Sequence, residues 1–456
     1  MIKKKSNAFI IPVRGPASPR RTRTFAPRFA FLLLTFSGSL AVFSAGNMVD
    51  ARDWPQILGP TRNGIAVDEK LLESFPASGL KKVWTHTVGE GYSGPVVAGD
   101  RVIIFHRPQT GQVVECLSLA SGKEIWRTDL PTKYRGGGID PDRGPKAVPL
   151  IHEGKIYLYD TAGELYCLDL ADGNLRWNRS TATDFRAPPG YFGFGSSPIV
   201  IGDTLIVNVG GNEAGIVGFD LETGKTRWVA TDQRASYSSP VAGTCNGQPC
   251  ALVVTRLMFF GIDPTNGKIL FEFPFGDRGP TVNGAMPVVV EDHVFLTSSY
   301  GIGSRWLTPT VGAVKEGWSD PNRFESQYST PILHKGMLYG SCGREDRQNG
   351  SYRCVEAATG KLAWVEDDVP VGHSILVGDK IVLIDHSGKL HILQATPQAF
   401  SRLYQAQLFE NPSRAIPALA RGKLLMRSNA TGGTGAFLGR QGELACFEIG
   451  VEPKEQ

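Results

Sequence analysis

The seven cysteines form no Cys-x-x-Cys pair and no Cys-x-x-Cys-His motif, which argues against short-spaced metal or dithiol sites and covalent haem attachment. The eight histidines are scattered; His152-Glu153 has no second His four residues on, so no H-E-x-x-H zinc site exists. Ser93 in "GYSGP" has no Gly two places later and is no nucleophile elbow. No dense Asp, Glu and Asn cluster resembles a calcium loop. The nearest acidic pair, Asp140 and Asp142 in "GGGIDPDRGP", reads as a Gly/Pro-rich connecting loop. "GFDLETGKTRW" (218–228) ends in Gly-Lys-Thr, but its earlier Gly is one position too far for a P-loop. No long run of Ala, Leu, Glu and Lys favours helical bundles, whereas 54 Gly, 30 Pro and 23 Phe favour short strands joined by turns.

A basic excess is also missing from the body of the chain. The net charge is +4, but eight Lys or Arg and no acidic residue lie within the first 45 positions, leaving 40 basic against 44 acidic residues beyond them. Such a body lacks the clustered basic charge of a nucleic-acid surface. The basic start runs into "FAFLLLTFSGSLAVFSA" and small residues at Ser44 and Ala45, the layout of an export signal, with an uncleaved anchor as the alternative. Residues 1–51 are therefore expected to be an export segment and 52–77 a lead-in. A periplasmic or envelope location follows as an expectation, with membrane contact only through an uncleaved signal. Export makes disulfides possible, and Cys245 and Cys250 in "CNGQPC" could close a small loop or be turn residues.

What the chain has in abundance is repetition. "CLSLASGKEIW" (116–126), "CLDLADGNLRW" (167–177), "GFDLETGKTRW" (218–228), "GIDPTNGKILF" (261–271) and "CVEAATGKLAW" (354–364) are copies of one pattern. A degenerate copy ends at Trp318, so the aromatics step by 51, 51, 43, 47 and 46 residues. A second signal keeps the same step: an apolar run after Pro95, Pro149, Pro198, Pro240, Pro287, Pro331 and Pro417, with Ser374 in the proline place of the remaining unit. Eight units of four short strands read as an all-β, eight-bladed propeller over about 78–450, followed by a polar tail at 451–456.

The eighth unit stops at "LACFEIG" without an outer strand, while "SGLKKVWTHTV" supplies one before the first unit. The ring is expected to close by pairing the two chain ends. Cys116, Cys167, Cys354 and Cys446 share one third-strand slot, which argues for packing. Each outer-strand Trp is expected to pack on the neighbouring blade.

The A-x-D-x-x-T-G-K-x-x-W pattern resembles the blade motif of the PQQ-repeat, or quinoprotein-like, β-propellers. The lead-in "DWPQILGPTRNGIA" (53–66) also resembles that of exported bacterial members. The resemblance implies two branches: quinoprotein dehydrogenases holding PQQ and Ca²⁺ in the funnel, and noncatalytic members, such as the lipoprotein of the outer-membrane β-barrel assembly machinery (BamB-like), which bind proteins. The adjacent Cys-Cys of many catalytic members does not occur here. The expected function is a monomeric envelope scaffold that binds proteins or a small ligand, with no cofactor and no metal. The alternative is a PQQ-dependent alcohol or sugar oxidoreductase or a funnel sensor.

If the repeat is a propeller, residues three before each proline place ring one mouth of the channel: Tyr92, Lys146, Gly195, Tyr237, Gly284, Tyr328, Val371 and Arg414. Tyr92, Lys146, Tyr237, Tyr328 and Arg414 could hold an anionic or planar ligand by charge and stacking. The long loops 130–148 and 181–197 carry Tyr134, Phe185, Tyr191, Phe192 and Phe194, candidates for an exposed protein-binding rim or a lid.

Overall fold

The computed structural model describes residues 50–136, 142–430 and 441–451. The export segment expected at 1–51 lies almost wholly outside them, as do Asp140 and most of the 451–456 tail.

The described residues contain eight separate four-stranded antiparallel sheets. Their inner strands are Val96–Ala98, Leu150–His152, Ile199–Ile201, Val241–Cys245, Val288–Val290, Ile332–His334, Gly372–Val377 and Ala418–Ala420, which define blades 1 to 8. Each blade takes its strands in chain order from the channel outward, except blade 8. There Lys82–Val88 pairs with the last strand, Gly442–Glu448, and Trp84 lies opposite Cys446. The two ends of the propeller sequence thus share one sheet.

One recurring contact explains both the aromatic repeat and the cysteine slot. Cys116, Cys167, Gly218, Gly261 and Cys354 stand directly opposite Trp126, Trp177, Trp228, Phe271 and Trp364 in register. In these five blades the slot is small because the aromatic ring folds over it: a Cβ on Gly218 would lie 2.2 Å from Trp228 Cε2. The ring then reaches the following blade, where the indole N–H donates to a carbonyl near the last turn. Trp84 donates to Leu119 O (2.7 Å), Trp126 to Leu170 O (3.1 Å), Trp177 to Leu221 O (3.0 Å) and Trp228 to Pro264 O (3.0 Å). Trp318 and Trp364 repeat the bond to Ala357 O and Thr396 O. Each indole thus buries a large apolar area and satisfies its one donor at a blade seam.

A turn glycine lies under five of the six indoles: Gly122 under Trp84, Gly173 under Trp126, Gly224 under Trp177, Gly267 under Trp228 and Gly360 under Trp318. Gly224 adopts φ 64° beneath Trp177, a left-handed conformation that costs Gly nothing in steric terms. Asp220 Oδ1 accepts the Thr223 N–H at 3.0 Å, and Lys225 faces solvent. The Gly-Lys-Thr element is a hairpin of blade 3 and not a P-loop.

The lead-in has a structural role that its irregular sequence did not disclose. It crosses the channel end formed by the turns between first and second strands. Trp54 pairs with Val97 of blade 1, Pro55 O accepts the Ile151 N–H of blade 2, and Ala66 N–H donates to Leu376 O of blade 7. Arg62 is buried between them and donates to Pro198 O and Pro240 O of blades 3 and 4 and to Gln56 Oε1. Glu69 Oε2 then accepts the Gly422 N–H of blade 8 at 2.8 Å. Burial lowers the Arg62 pKa to about 9, so the guanidinium keeps its charge at neutral pH.

Candidate functional site

At the opposite end, the segments that lead into the inner strands enclose a cavity of about 450 Å³. Seven of the eight ring positions line it: Tyr92, Lys146, Gly195, Tyr237, Gly284, Tyr328 and Arg414. The exception is blade 7, where Val371 is buried and His373 takes the cavity position. The cause is Ser374. A proline there would remove a ladder donor, whereas serine lets the inner strand begin at Gly372, pairing with Asp385.

Around the closure, Lys146 Nζ lies 4.0 Å from the Tyr92 ring centroid and the Arg414 guanidinium 5.0 Å from it. Arg414 Nη1 also donates to the Tyr92 hydroxyl at 3.1 Å. Both cations are compensated. Lys146 Nζ contacts Asp142 Oδ1 at 2.7 Å, and Arg414 Nε donates to Glu345 Oε1 at 2.7 Å and Oε2 at 2.8 Å. Burial alone would lower the Arg414 pKa, but the Glu345 carboxylate outweighs it and the net shift is upward. Glu345 Oε2 also accepts the Tyr328 O–H at 2.8 Å, and His386 Nε2 lies 3.2 Å from Oε1. Burial, and then the adjacent Glu345 charge, push the Tyr328 phenol well above its ordinary pKa. His373 Nε2–H donates to Arg414 O at 3.1 Å, and burial lowers its pKa to about 4.

Across the cavity, Phe192 N–H donates to the Tyr237 hydroxyl at 2.7 Å, and their rings meet edge to face at 5.6 Å. Gln327 Nε2 donates to the Tyr300 hydroxyl at 2.9 Å, and Arg344 stacks 4.2 Å from the Tyr300 ring centroid while pairing with Asp346. Ile57 from the lead-in lines the cavity together with Val148, Val282 and Ile416.

The rim expectation needs correction. Tyr134 is buried; its carbonyl accepts Arg107 Nη1 at 2.8 Å. Phe194 is buried against Tyr159, with ring centroids 5.6 Å apart. Phe185 packs edge-on against Phe219 in the seam of blades 2 and 3. A Gly/Pro-rich loop that leaves a blade must anchor itself somewhere, and these rings are its anchors. Only Tyr191, 37% exposed, stands out, with Phe192 half-buried beside it. Asp142 is likewise a brace: its carboxylate accepts the Gly91 and Gly144 N–H groups as well as Lys146. In the second "DRGP" copy, Asp277 accepts the Gly279 N–H in the same way.

Glu345, Arg344 and Asp346 were not anticipated. They come from "GREDRQNG" (343–350), the loop between the second and third strands of blade 6. In an up-and-down blade that loop faces the same mouth as the start of the inner strand, so its charge run was the available signal. Among the described residues, no group of three or more His, Cys, Asp or Glu could hold a metal ion.

Eight four-stranded blades closed through the first and last strands are the architecture of the PQQ-like repeat propellers. The family model described as "Outer membrane protein assembly factor BamB" matches residues 110–366, more than half of the chain. The chain belongs to that family. It is similar to outer membrane protein assembly factor BamB of Shewanella oneidensis, 22% identical over 365 residues, covering 79% of this chain and 76% of that protein. It also matches 1-butanol dehydrogenase (cytochrome c) of Thauera butanivorans, 27% identical over 146 residues, covering 31% of this chain; the match spans only 20% of that enzyme. Among solved structures, BamB from Moraxella catarrhalis superposes with a TM-score of 0.58 at 17% identity, covering 81% of this chain and 99% of that one. A europium-containing methanol dehydrogenase superposes at 0.67 and 13% identity, covering 88% and 98%. At such identities the structural likeness shows the fold alone.

Proposed function

We propose that this protein is an exported β-propeller that acts as a protein-binding or assembly scaffold in the cell envelope. The observation that carries this reading is the extent of similarity: the Shewanella assembly factor matches over three quarters of both chains, the butanol dehydrogenase over a fifth of its own length. Exposed Tyr191, beside Arg256 at 5.6 Å, supplies an aromatic and a cation at the open mouth, a combination favoured at protein interfaces.

The second reading, a quinoprotein-type oxidoreductase or a funnel sensor, is favoured by the cavity itself. A quinoprotein centre would need carboxylate and amide donors for Ca²⁺ beside the quinone. Among the described residues, Glu345 is the cavity carboxylate best placed for this, and Arg414, Tyr328 and His386 already engage it. That donor set does not fit a calcium-held quinone, so the oxidoreductase is the weaker of the two readings.

The test is photo-crosslinking in cells from a photoreactive phenylalanine placed at position 191. A discrete adduct with one envelope protein supports the scaffold. Stoichiometric binding of PQQ with Ca²⁺, accompanied by dye-linked alcohol or sugar oxidation, overturns it.

A further inference from the structure

We infer that the central cavity binds a neutral, flat, ring-bearing molecule that presents carbonyl- or ether-type oxygen acceptors, and that it rejects anions of the same shape. This goes beyond the scaffold reading and does not depend on it.

Charge sets the first limit. The cations at the wall are Lys146, Arg344 and Arg414, and each contacts a carboxylate of the same chain: Asp142 at 2.7 Å, Asp346 at 2.5 Å and Glu345 at 2.5 Å. An incoming anion would have to share its cation with one of these carboxylates and sit beside that negative charge. The Lys146–Asp142 pair is also nearly buried, with both side chains 7% exposed, so separating it leaves a desolvated charge without compensation. An incoming cation meets the reverse problem, because Glu345 is held by Arg414, Tyr328 and His386 at once. The sequence alone had suggested an anionic or a planar ligand; the pairing removes the first of these.

Shape and hydrogen bonding set the rest. Ile57 of the lead-in, Val148, Val282 and Ile416 are the aliphatic part of the lining, and Tyr237 and Tyr300 add ring surface. A cavity of about 450 Å³ falls within the range that encloses a small ring compound. The two phenols also give direction. Tyr237 Oη accepts from Phe192 N–H and Tyr300 Oη from Gln327 Nε2. A phenol oxygen that accepts one bond still has its own O–H to donate, so both offer donors and call for acceptor oxygens on the ligand. Burial keeps the Tyr237 phenol protonated, its pKa pushed above the ordinary value.

The probes are coumarin, a flat neutral lactone, and coumarin-3-carboxylate, its anionic counterpart, titrated into the full chain at neutral pH by calorimetry. Coumarin is expected to bind saturably at one site per chain, and the carboxylate at least about tenfold more weakly. Replacing both donors, Tyr237→Phe with Tyr300→Phe, is expected to weaken coumarin by about tenfold or more. Ile416→Trp, which fills the cavity, is expected to abolish binding; circular dichroism and Tm check that each variant is folded. The inference is overturned if coumarin does not bind, if the carboxylate binds as tightly, or if folded variants of both kinds bind coumarin unchanged. Crosslinking from position 191 reads the scaffold function separately, so either idea can fail alone.

Discussion

Glu345 and Arg414 join blade 6 to the entrance of blade 8 across the cavity mouth, with Arg414 Nε 2.7 and 2.8 Å from the two carboxylate oxygens. Blade 7 lies between them in the ring, so the pair spans a blade that neither residue belongs to. Glu345→Gln removes the charge and leaves Arg414 one neutral amide acceptor there, beside its bond to Tyr92. The expected loss is about 1–2 kcal/mol, below the cost of breaking a fully buried pair because the Arg414 side chain is 35% exposed. Urea unfolding of the variant measures it, and Glu345→Asp should recover part of the loss.

Arg62 is the fastening of the plug. Arg62→Met leaves the Pro198 and Pro240 carbonyls without their donors, at a cost of about 2–4 kcal/mol. Arg62→Lys is expected to rescue poorly, since a single ammonium lacks the planar fork that reaches both carbonyls and Gln56. Limited proteolysis reads the same event directly: cleavage within 53–66 should accelerate in both variants while the blades stay protected.

Gly218 tests the account of the blade seam. Gly218→Ala drives a methyl into Trp228, where the nearest atom is 2.2 Å away, and should cost about 2–3 kcal/mol through overpacking. Gly336→Ala is the control: nothing lies within 4 Å of its Cβ, but φ is 76°, so only backbone strain of about 1 kcal/mol is expected. Equal losses at the two sites, measured by chemical denaturation, would contradict the seam argument.

The eight-unit count, the closure through Trp84 and most of the mouth ring were legible from sequence, because each rests on a residue type repeated in step. Proline, turn glycine and an outer-strand aromatic recur because most blades meet the same steric demands. What escaped was whatever happens once. The plug has no period, and Arg62 has meaning only when two distant carbonyls converge on it. Tyr134 and Phe194 sit in loops whose composition suggests exposure, yet each fills a specific gap beneath its loop. Val371 and His373 exchanged places for a reason visible in the chain, the missing proline at Ser374, but its effect on strand length had to be seen.

His373 makes stability depend on pH. Burial holds its pKa near 4 against an ordinary 6.5, so between those values the unfolded chain binds the extra proton. Its contribution is complete above about pH 6.5 and is lost as pH falls through 4, amounting to about 3 kcal/mol. His373→Gln retains a donor for Arg414 O and removes the titration. The gap in Tm between wild type and variant should therefore change across pH 6.5 to 4 and stay constant from 7 to 8.

Cys245 and Cys250 lie buried on the first hairpin of blade 4 with their sulfurs 2.9 Å apart. An oxidant such as oxidised glutathione should join them by removing two hydrogens, with little movement of the backbone. Mass spectrometry of the tryptic peptides after alkylation would show this bond, while Cys116, Cys167, Cys354 and Cys446 remain thiols under their indoles. Alkylation of Cys245 and Cys250 after oxidant treatment would refute it.

The split eighth blade also sets an order of assembly. The strand Lys82–Val88 is made first among the propeller strands and pairs with the one made last, Gly442–Glu448. Until synthesis passes Glu448, a growing chain can stack blades 1 to 7 but carries one strand with a bare edge and no mate. Ring closure therefore waits for the last propeller strand, and a chain truncated anywhere before 442 is left open at the seam where Trp84 should meet Cys446.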